Sequence, residues 1–363
     1  MVKSKVLVDL LSFRSSGLSP SVKRSILFHY HSLIILNPDR EWVFVLEEED
    51  SLPPDLSGFE AVSFIRVKKW PGWIGWSLWY GHRLPALLKK LKADCFFGLG
   101  SAAYIKREGL RQIIWLPGKR GFSAGKDQHA KYCHKRLKTT LVTADLGLVF
   151  SLKTKEILGR EWPGTMPSLK LFEGFEQSFK PLALDEKEEA KTKFAGGKEY
   201  FLCLDGKGEA EIVSLLKAFS IFKKRQQTNM RLVLTSGEWI KEKLSFYAYR
   251  EELSLTGDLK QQEFRLLLSG AYALIDLGSE FLIDLYHAFA AGVPVLAAGK
   301  ELTKEPFFPA LFNAGWLDPQ SMAREFMTVY TNEKLRFSKI ESGNRYWTDH
   351  KKDSEEGGAF GLL

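Results

Sequence analysis

Short apolar runs alternate with longer segments in which apolar residues recur every three or four positions. The short runs are typical of buried strands, and the longer spacing is typical of helices that bury one face. In the first half, strands are predicted over residues 6–11, 42–46, 62–67, 95–97, 113–116 and 146–150, and helices include 21–36 and 84–91. This alternation favours a mainly parallel sheet with helices on both faces.

The same alternation restarts after a charged segment, residues 180–197, whose Pro181 and paired glycines predict a linker. Strands then follow over 200–204, 232–235, 254–256, 273–277 and 293–297, with helices over 209–224, 261–268 and 282–291. A chain of 363 residues is too long for one compact core. The pattern therefore predicts an α/β protein of two doubly wound, Rossmann-like domains, with ligands bound at the carboxyl ends of strands in a cleft between them.

The expected domain boundaries follow from these patterns. Residues 1–175 are expected to form the N-terminal domain and residues 176–345 the C-terminal domain. The remainder, residues 346–363, is polar and glycine-rich, and we expect it to fray.

The chain is basic, with 52 Lys and Arg against 44 Asp and Glu and a formal net charge of +8. One segment, residues 118–138, concentrates cations that include Lys119, Arg120, Lys126, Lys131 and Lys135. These side chains could attract a phosphate-bearing acceptor or an anionic membrane, or they could form a solvated helix face. No helix-turn-helix, zinc or RNP-like pattern is present, so we expect no nucleic-acid partner.

Two further features accompany the basic segment. His129 and His134 lack a carboxylate cluster of suitable spacing, so we expect surface residues rather than metal ligands. Upstream, residues 70–80 read WPGWIGWSLWY. Tryptophans at this density suit a membrane interface or sugar stacking, and they equally suit a packed helix.

The cysteines and the first residues bear on the compartment. Cys95, Cys133 and Cys203 have no close spacing, which excludes a disulfide framework and favours a reducing compartment. Asp9 interrupts the first apolar run, no small-residue cleavage site follows, and no uncharged run approaches the roughly 18 residues of a membrane helix. We expect a cytoplasmic protein, with peripheral association at the inner membrane face as an open option.

The segment with most candidate chemistry covers residues 276–299, DLGSEFLIDLYHAFAAGVPVLAAG. A helix that starts after a Gly-containing turn presents free backbone N–H groups and a positive dipole end, which suit a diphosphate. Glu280, Asp284 and His287 follow at positions i, i+4 and i+7 and share one helix face. That face could meet a ribose or a sugar, or it could be the solvated polar stripe of an ordinary crossover.

This segment resembles the donor loop of the retaining glycosyltransferases of family 4, in a register fixed by Ala288, Ala290, Gly292, Pro294 and Val295. Other segments similar to the family follow in its order along the chain: GLSPSVKRSILFHYHSLIIL, LWYGHRLPALLKKLKADCFF, LVTADLGLVFSLKTKEIL, LFEGFEQSFKPL, YFLCLDGKGEAEIVSLLKAFSIF and LKQQEFRLLLSGAYALID. The resemblance implies the GT-B fold and retaining transfer of a hexose from a nucleotide sugar to a glycan or lipid-linked acceptor. It implies no metal and no cofactor beyond the donor substrate.

The resemblance also implies a set of donor-binding residues: Gly17, Lys207, Gly278, Ser279, Glu280 and His287. Gly17, in the first loop, and Lys207 would approach the donor phosphates. The Gly-Ser-Glu turn would cover the sugar and phosphate, and His287 would contact the ribose.

Several of these positions depart from the family pattern. Ser279 and His287 stand where the family has two glutamates, and a neutral imidazole accepts only one hydrogen bond. Gly206 and Ala210 stand where the family has an Arg and a Lys, whose charge-assisted hydrogen bonds are worth about 1.5–3 kcal/mol each. The chain is therefore either an active, divergent transferase or a degenerate paralogue that serves as a binding or assembly subunit. Retaining transfer depends on stabilising the leaving diphosphate, which favours the transferase.

Overall fold

A computed structural model describes residues 4–11, 13, 20–53, 55–68, 72–103, 105–116, 128–149, 152–161, 168–171, 179–204, 208–235, 244, 247–257, 259–277, 282–298, 301–313 and 318–356. The chain divides into two compact units, with the division between Glu173 and Gly174. Each unit is built on one parallel sheet.

The N-terminal unit contains a seven-stranded sheet. Its strands are β1 (Lys5–Asp9), β2 (Glu41–Glu47), β3 (Val62–Val67), β4 (Cys95–Leu99), β5 (Arg111–Leu116), β6 (Leu146–Val149) and β7 (Ser168–Leu171). Its helices are α1 (Pro20–Leu36), α2 (Gly72–Leu78), α3 (Leu84–Leu91), α4 (Gln128–Thr143) and α5 (Leu152–Glu161), and a π-helical turn (Trp79–Arg83) joins α2 to α3. The strand order is β3-β2-β1-β4-β5-β6-β7, and all pairs are parallel.

The C-terminal unit contains a six-stranded sheet. Its strands are β8 (Tyr200–Leu204), β9 (Arg231–Thr235), β10 (Leu253–Leu255), β11 (Ala273–Asp276), β12 (Val295–Ala297) and β13 (Leu311–Asn313). Its helices are α6 (Leu184–Ala195), α7 (Glu209–Gln226), α8 (Gln261–Ser269), α9 (Ile283–Ala290), α10 (Pro319–Thr331) and α11 (Glu333–Glu356). The order is β10-β9-β8-β11-β12-β13, again with parallel pairs.

The central strands are apolar over most of their length because helices cover both faces of a parallel sheet. Every residue of β4 is buried. In β1 only Lys5 is partly exposed, and in β2 only Glu41 and Glu47 are. Two helices begin at residues that suit a helix N-terminus. Pro20 opens α1, where its missing N–H costs nothing, and the Asp318 side chain caps α10 by accepting the Ser321 N–H at 2.8 Å.

The predicted fold class is confirmed: two doubly wound, Rossmann-like units with helices interleaved between parallel strands. Three local details differ from the prediction. The predicted linker, residues 180–197, contains helix α6, whose face packs on α8. The strands β7 and β13, at the edges of the two sheets, were not predicted. The polar residues 346–356 continue α11, and residues 357–363 lie outside the described part.

The strand order places one switch point in each sheet. In the first unit, the chain proceeds in opposite directions from the neighbouring strands β1 and β4. In the second unit, β8 and β11 are the corresponding neighbours. Doubly wound sheets bind ligands outside the carboxyl ends of such strands. The loops after β1, β4, β8 and β11 are therefore the places in which to look for a site.

Candidate functional site

The segment similar to a donor loop begins at the switch point of the second sheet. Asp276 is the last residue of β11, and its carbonyl accepts the Ala298 N–H at 2.8 Å. The Leu274 N–H bonds to the Pro294 carbonyl at 2.9 Å. These bonds place β12 beside β11, so the loop between β11 and α9 leaves the sheet at its carboxyl edge.

The Gly-Val-Pro-Val framework ends α9 in a Schellman motif. The Val293 N–H bonds to the Ala288 carbonyl at 2.8 Å, and the Gly292 N–H bonds to the Phe289 carbonyl at 3.1 Å. Gly292 has φ of +68°, a left-handed conformation that favours glycine. A Cβ at this position would lie 3.4 Å from Cγ of Pro181. The glycine thus lets the chain turn from helix to strand against the segment that leads into α6.

The polar residues of α9 are enclosed. Asp284 is 6% exposed and His287 only 1% exposed, so the interpretation of these two as a solvated stripe is wrong. The His287 ring stacks on Phe179, with centroids 4.1 Å apart and planes 11° apart. Phe179 in turn meets Phe264 edge-on at 6.0 Å. With this burial, His287 reaches a ribose only if a neighbouring side chain moves.

Most of the predicted donor and acceptor residues lie outside the described part of the chain: Gly17, Lys119, Arg120, Lys126, Lys207, Gly278, Ser279 and Glu280. The described ones are His287 in the second unit and Lys131 and Lys135 in the first. The two lysines are exposed on α4 and belong to a different unit from His287.

The first turn of α7 is acidic. It follows the loop after β8 and contains Glu209 and Glu211, while Ala210 is exposed at the position of the family's lysine. A Cβ on Gly208 would lie only 2.7 Å from Oε2 of Glu211, so this carboxylate sits at the helix N-terminus. A carboxylate there complements the helix dipole and opposes a second anion.

In the N-terminal unit, the basic segment and the tryptophan-rich segment meet. Trp73 of α2 contacts Tyr132 of α4, with ring centroids 4.8 Å apart. Nζ of Lys135 lies 5.1 Å from the centroid of the Trp73 ring, a cation–π distance. Ile74 is 70% exposed beside them. We call Trp73, Ile74, Lys131, Lys135 and Arg136 the α2–α4 surface.

His129 is a core residue, so its expected surface position is wrong. It is 3% exposed, and its Nε2 lies 3.2 Å from both the Tyr80 hydroxyl and the Cys133 sulfur. The Trp76 ring lies 4.3 Å away, centroid to centroid. His134, one turn further along, is exposed as expected.

Asp9 is a candidate functional residue that the sequence did not single out. It ends β1 at the switch point of the first sheet and is 2% exposed. Its carboxylate accepts hydrogen bonds from the Leu11 N–H at 3.0 Å and from Nε1 of Trp79 at 2.9 Å. Burial outweighs these bonds and raises the pKa of Asp9 to about 6. The only signal in the sequence was a carboxylate inside an apolar run.

No three His, Cys, Asp or Glu side chains in the described ranges are grouped so that they could hold a metal ion. Among the helices described, none is both long and apolar enough to cross a bilayer.

No protein-family model matches the chain, and no curated protein sequence matches it. Solved structures do match. Sucrose-phosphate synthase from Thermosynechococcus elongatus has a TM-score of 0.68 at 12% identity, covering 95% of this chain and 94% of that one. WaaG, a glycosyltransferase involved in lipopolysaccharide biosynthesis, has a TM-score of 0.68 at 14% identity, covering 94% of this chain and 95% of that one. Anabaena HepE in complex with UDP and glucose has a TM-score of 0.68 at 9% identity, covering 99% of this chain and 100% of that one.

The chain has the GT-B fold. UDP-N-acetylglucosamine 2-epimerases are among the other solved structures that match it, so the GT-B fold by itself does not separate transfer from epimerisation.

Proposed function

We propose that this chain is a glycosyltransferase that moves a hexose from a nucleotide sugar to a glycan or lipid-linked acceptor, with retention of configuration, as a divergent relative of family 4. The observation that carries the proposal is the likeness of the whole chain, both units included, to solved glycosyltransferases, with HepE known in complex with UDP-glucose. The motif order along the sequence supports it independently.

The nucleotide sugar is proposed to bind at the carboxyl edge of the second sheet. The loops after β8 and β11 flank the switch point and contain Lys207 and the residues Gly278, Ser279 and Glu280. We assign the diphosphate mainly to the turn after β11, because the acidic first turn of α7 opposes an anion. Gly17 is kept as a further backbone contact to the phosphates.

His287 is proposed to hold the ribose. Its position in the motif is that of a ribose-binding glutamate, and an imidazole nitrogen can accept or donate one hydrogen bond. Contact requires the ring to be uncovered, and Phe179, stacked on it at 4.1 Å, is the side chain that would move. His287 and Phe179 would then couple donor binding to the segment before α6.

The proposed chemistry needs no protein nucleophile. Transfer with retention proceeds when the leaving diphosphate is held and its developing charge is stabilised by N–H groups and cations. The hexose anomeric carbon loses its bond to phosphate and forms one to the acceptor oxygen, whose proton passes to the leaving phosphate. The proposal assigns no step to a metal ion or a cofactor.

The acceptor side is proposed to work at an anionic membrane on the cytoplasmic face. The α2–α4 surface combines exposed cations with Trp73, which is 38% exposed, and Ile74. Each Lys or Arg near an anionic surface is worth about 1 kcal/mol, and an exposed tryptophan suits the headgroup level. A lipid-linked acceptor would be reached on that surface.

The direct test incubates the chain with UDP, GDP and ADP sugars and with glycan and lipid-linked acceptors, and identifies the products by NMR. A new glycosidic bond with the donor's anomeric configuration supports the proposal, and the inverted configuration removes retention. Epimerised nucleotide sugar without transfer would assign an epimerase. Binding of a donor with no product from any acceptor would favour the degenerate subunit.

The donor position can be tested by restoring a cation. Ala210→Lys puts a lysine at the exposed position where the family has one. If the diphosphate lies beside α7, this variant should bind the donor more tightly by about tenfold, the effect of one charge-assisted hydrogen bond. Ala210→Gln is the neutral control. Unchanged affinity in both variants leaves the diphosphate at the turn after β11.

A further inference from the structure

A pocket of about 200 Å³ opens at the carboxyl edge of the first sheet. Leu11 lines it two residues after the end of β1, and Val67 lines it as the last residue of β3. The remaining apolar lining comes from Trp76 and Leu78 of α2 and from Trp79 of the π-helical turn. This is the edge at which doubly wound sheets bind their ligands.

Contacts within the fold keep the lining of the pocket apolar. The indole N–H of Trp79 is already donated to Asp9 at 2.9 Å, so that polar atom is not available to a ligand. Trp76 is fixed by its contacts with His129 at 4.3 Å and with the stacked Tyr80 ring at 6.1 Å. Gly75 lines the pocket without a side chain and leaves it open.

Two cations belong to the same pocket. Lys68 follows the end of β3, Arg83 ends the π-helical turn, and both are exposed. Nη1 of Arg83 donates to the backbone carbonyl of Lys68 at 3.5 Å, and both residues line the pocket. A guanidinium and an ammonium so placed match a phosphate.

The combination of apolar walls and two cations favours one class of ligand. Among the described lining residues, none has a carboxylate, an amide or a hydroxyl, so these side chains offer a sugar few hydrogen-bond partners. A free phosphate would gain nothing from the apolar walls. The complement of apolar walls and two cations at one pocket is a hydrocarbon chain that ends in a phosphate.

We infer that this pocket binds the phosphate-proximal part of a lipid phosphate, the lipid-linked form of the acceptor. The inference rests on the proposed function and deepens it, because it chooses lipid-linked acceptors over free glycans. Helix α2 connects the pocket to the α2–α4 surface: Trp73 and Ile74 face solvent, while Gly75 and Trp76 line the pocket. A lipid that reaches the α2–α4 surface would therefore be close to the pocket.

The test is calorimetric titration of the full chain with geranyl phosphate, with geraniol and inorganic phosphate as separate arms. Geranyl phosphate should bind, and each half of it should bind at least tenfold more weakly. Arg83→Gln and Lys68→Gln should each weaken geranyl phosphate about tenfold, the scale of one charge-assisted hydrogen bond. Lys89→Gln, an exposed lysine of α3, is the matched control and should leave affinity unchanged.

The inference is overturned if geranyl phosphate does not bind, if geraniol binds equally well, or if Lys89→Gln weakens binding as much as Arg83→Gln. Dihexanoyl phosphatidic acid separates the two sources of a lipid phosphate. Tighter binding of this diacyl probe would assign the pocket to a membrane phospholipid and overturn the acceptor assignment.

Nucleotide-sugar affinity, measured on the same preparations, separates this inference from the proposed function. If the chain binds geranyl phosphate but no nucleotide sugar, the proposed transferase function is contradicted and the lipid-phosphate site is supported. The opposite result is also possible: the unaltered chain and Arg83→Gln bind a nucleotide sugar equally well, and the unaltered chain does not bind geranyl phosphate. That result would support the transferase function and contradict the lipid-phosphate site.

Discussion

The imidazole of His287 lies flat on the phenyl ring of Phe179, with centroids 4.1 Å apart and planes 11° apart. The ring therefore has a packing role that is visible in the structure and a ribose role that is proposed. Two substitutions separate these roles, because phenylalanine keeps the stack and alanine removes it.

His287→Phe should retain most of the free energy of unfolding but weaken nucleotide-sugar binding about three- to tenfold, the effect of one neutral hydrogen bond. His287→Ala should weaken binding similarly and cost about 2–4 kcal/mol of stability through the cavity it leaves. Tyr286→Phe, the adjacent residue of α9, is the control for donor affinity. Unchanged donor affinity in His287→Phe would leave His287 as a packing residue only.

Gly292→Ala should destabilise the chain by about 1–2 kcal/mol, because its left-handed φ of +68° is unfavourable for any residue with a Cβ. Urea titrations measure the change. Gly159→Ala is the matched control, because a Cβ on Gly159 in α5 would meet nothing within 4 Å. The control should be neutral or slightly more stable. Equal effects of the two substitutions would contradict the Schellman motif at the end of α9.

The framework of the fold was predictable from the sequence because apolar periodicity and turn residues act locally. Gly292 and Pro294 fixed the end of α9 and the start of β12, and both lie within a few residues of the bonds they determine. The four-residue strand β7 carries the polar Lys170 and lies at the sheet edge, so it left no comparable pattern.

Side-chain environments that depend on distant partners were not predictable. His129 is enclosed by Trp76 and Tyr80, about fifty residues earlier in the chain, so a basic helix contained a core histidine. Asp9 depends on Trp79, seventy residues away. The basic and tryptophan-rich segments were each recognised, but only the packing of α2 on α4 made them one surface.

Asp9 predicts a specific pH dependence of stability. Burial raises its pKa from 3.8 to about 6, so the folded chain binds this proton more tightly than the unfolded chain does. The resulting stabilisation is complete below about pH 4 and is lost as the pH rises through about 6. This difference in the pKa of Asp9 between the folded and unfolded chain corresponds to about 3 kcal/mol.

Urea titrations between about pH 4 and pH 8 on the unaltered chain and on Asp9→Asn measure this contribution. The side chain of the variant does not titrate. The stability of the unaltered chain relative to the variant should fall by up to about 3 kcal/mol as the pH rises through this range. Parallel pH profiles for the two proteins would contradict the raised pKa of Asp9.

The α2–α4 surface predicts binding to anionic vesicles. The unaltered chain should float with vesicles of phosphatidylcholine and phosphatidylserine and not with phosphatidylcholine alone. Lys131→Gln with Lys135→Gln should weaken flotation about tenfold or more, since each cation is worth about 1 kcal/mol at such a surface. Ile74→Ser should weaken it further.

The matched control for flotation is Lys217→Gln with Lys224→Gln, two exposed lysines of α7 in the other unit. This pair has the same change in net charge and should float as the unaltered chain does. If both double variants lose flotation equally, the effect is one of net charge alone. If the unaltered chain does not float with anionic vesicles, the α2–α4 surface is not a membrane-binding surface.

The central claim is that the second unit binds a nucleotide sugar, and calorimetric titration of the full chain with UDP, GDP and ADP sugars tests it most directly. The proposal predicts saturable binding of at least one of these donors, with the nucleotide diphosphate alone also bound. If none of the sugars and none of the diphosphates binds, the proposed function is contradicted.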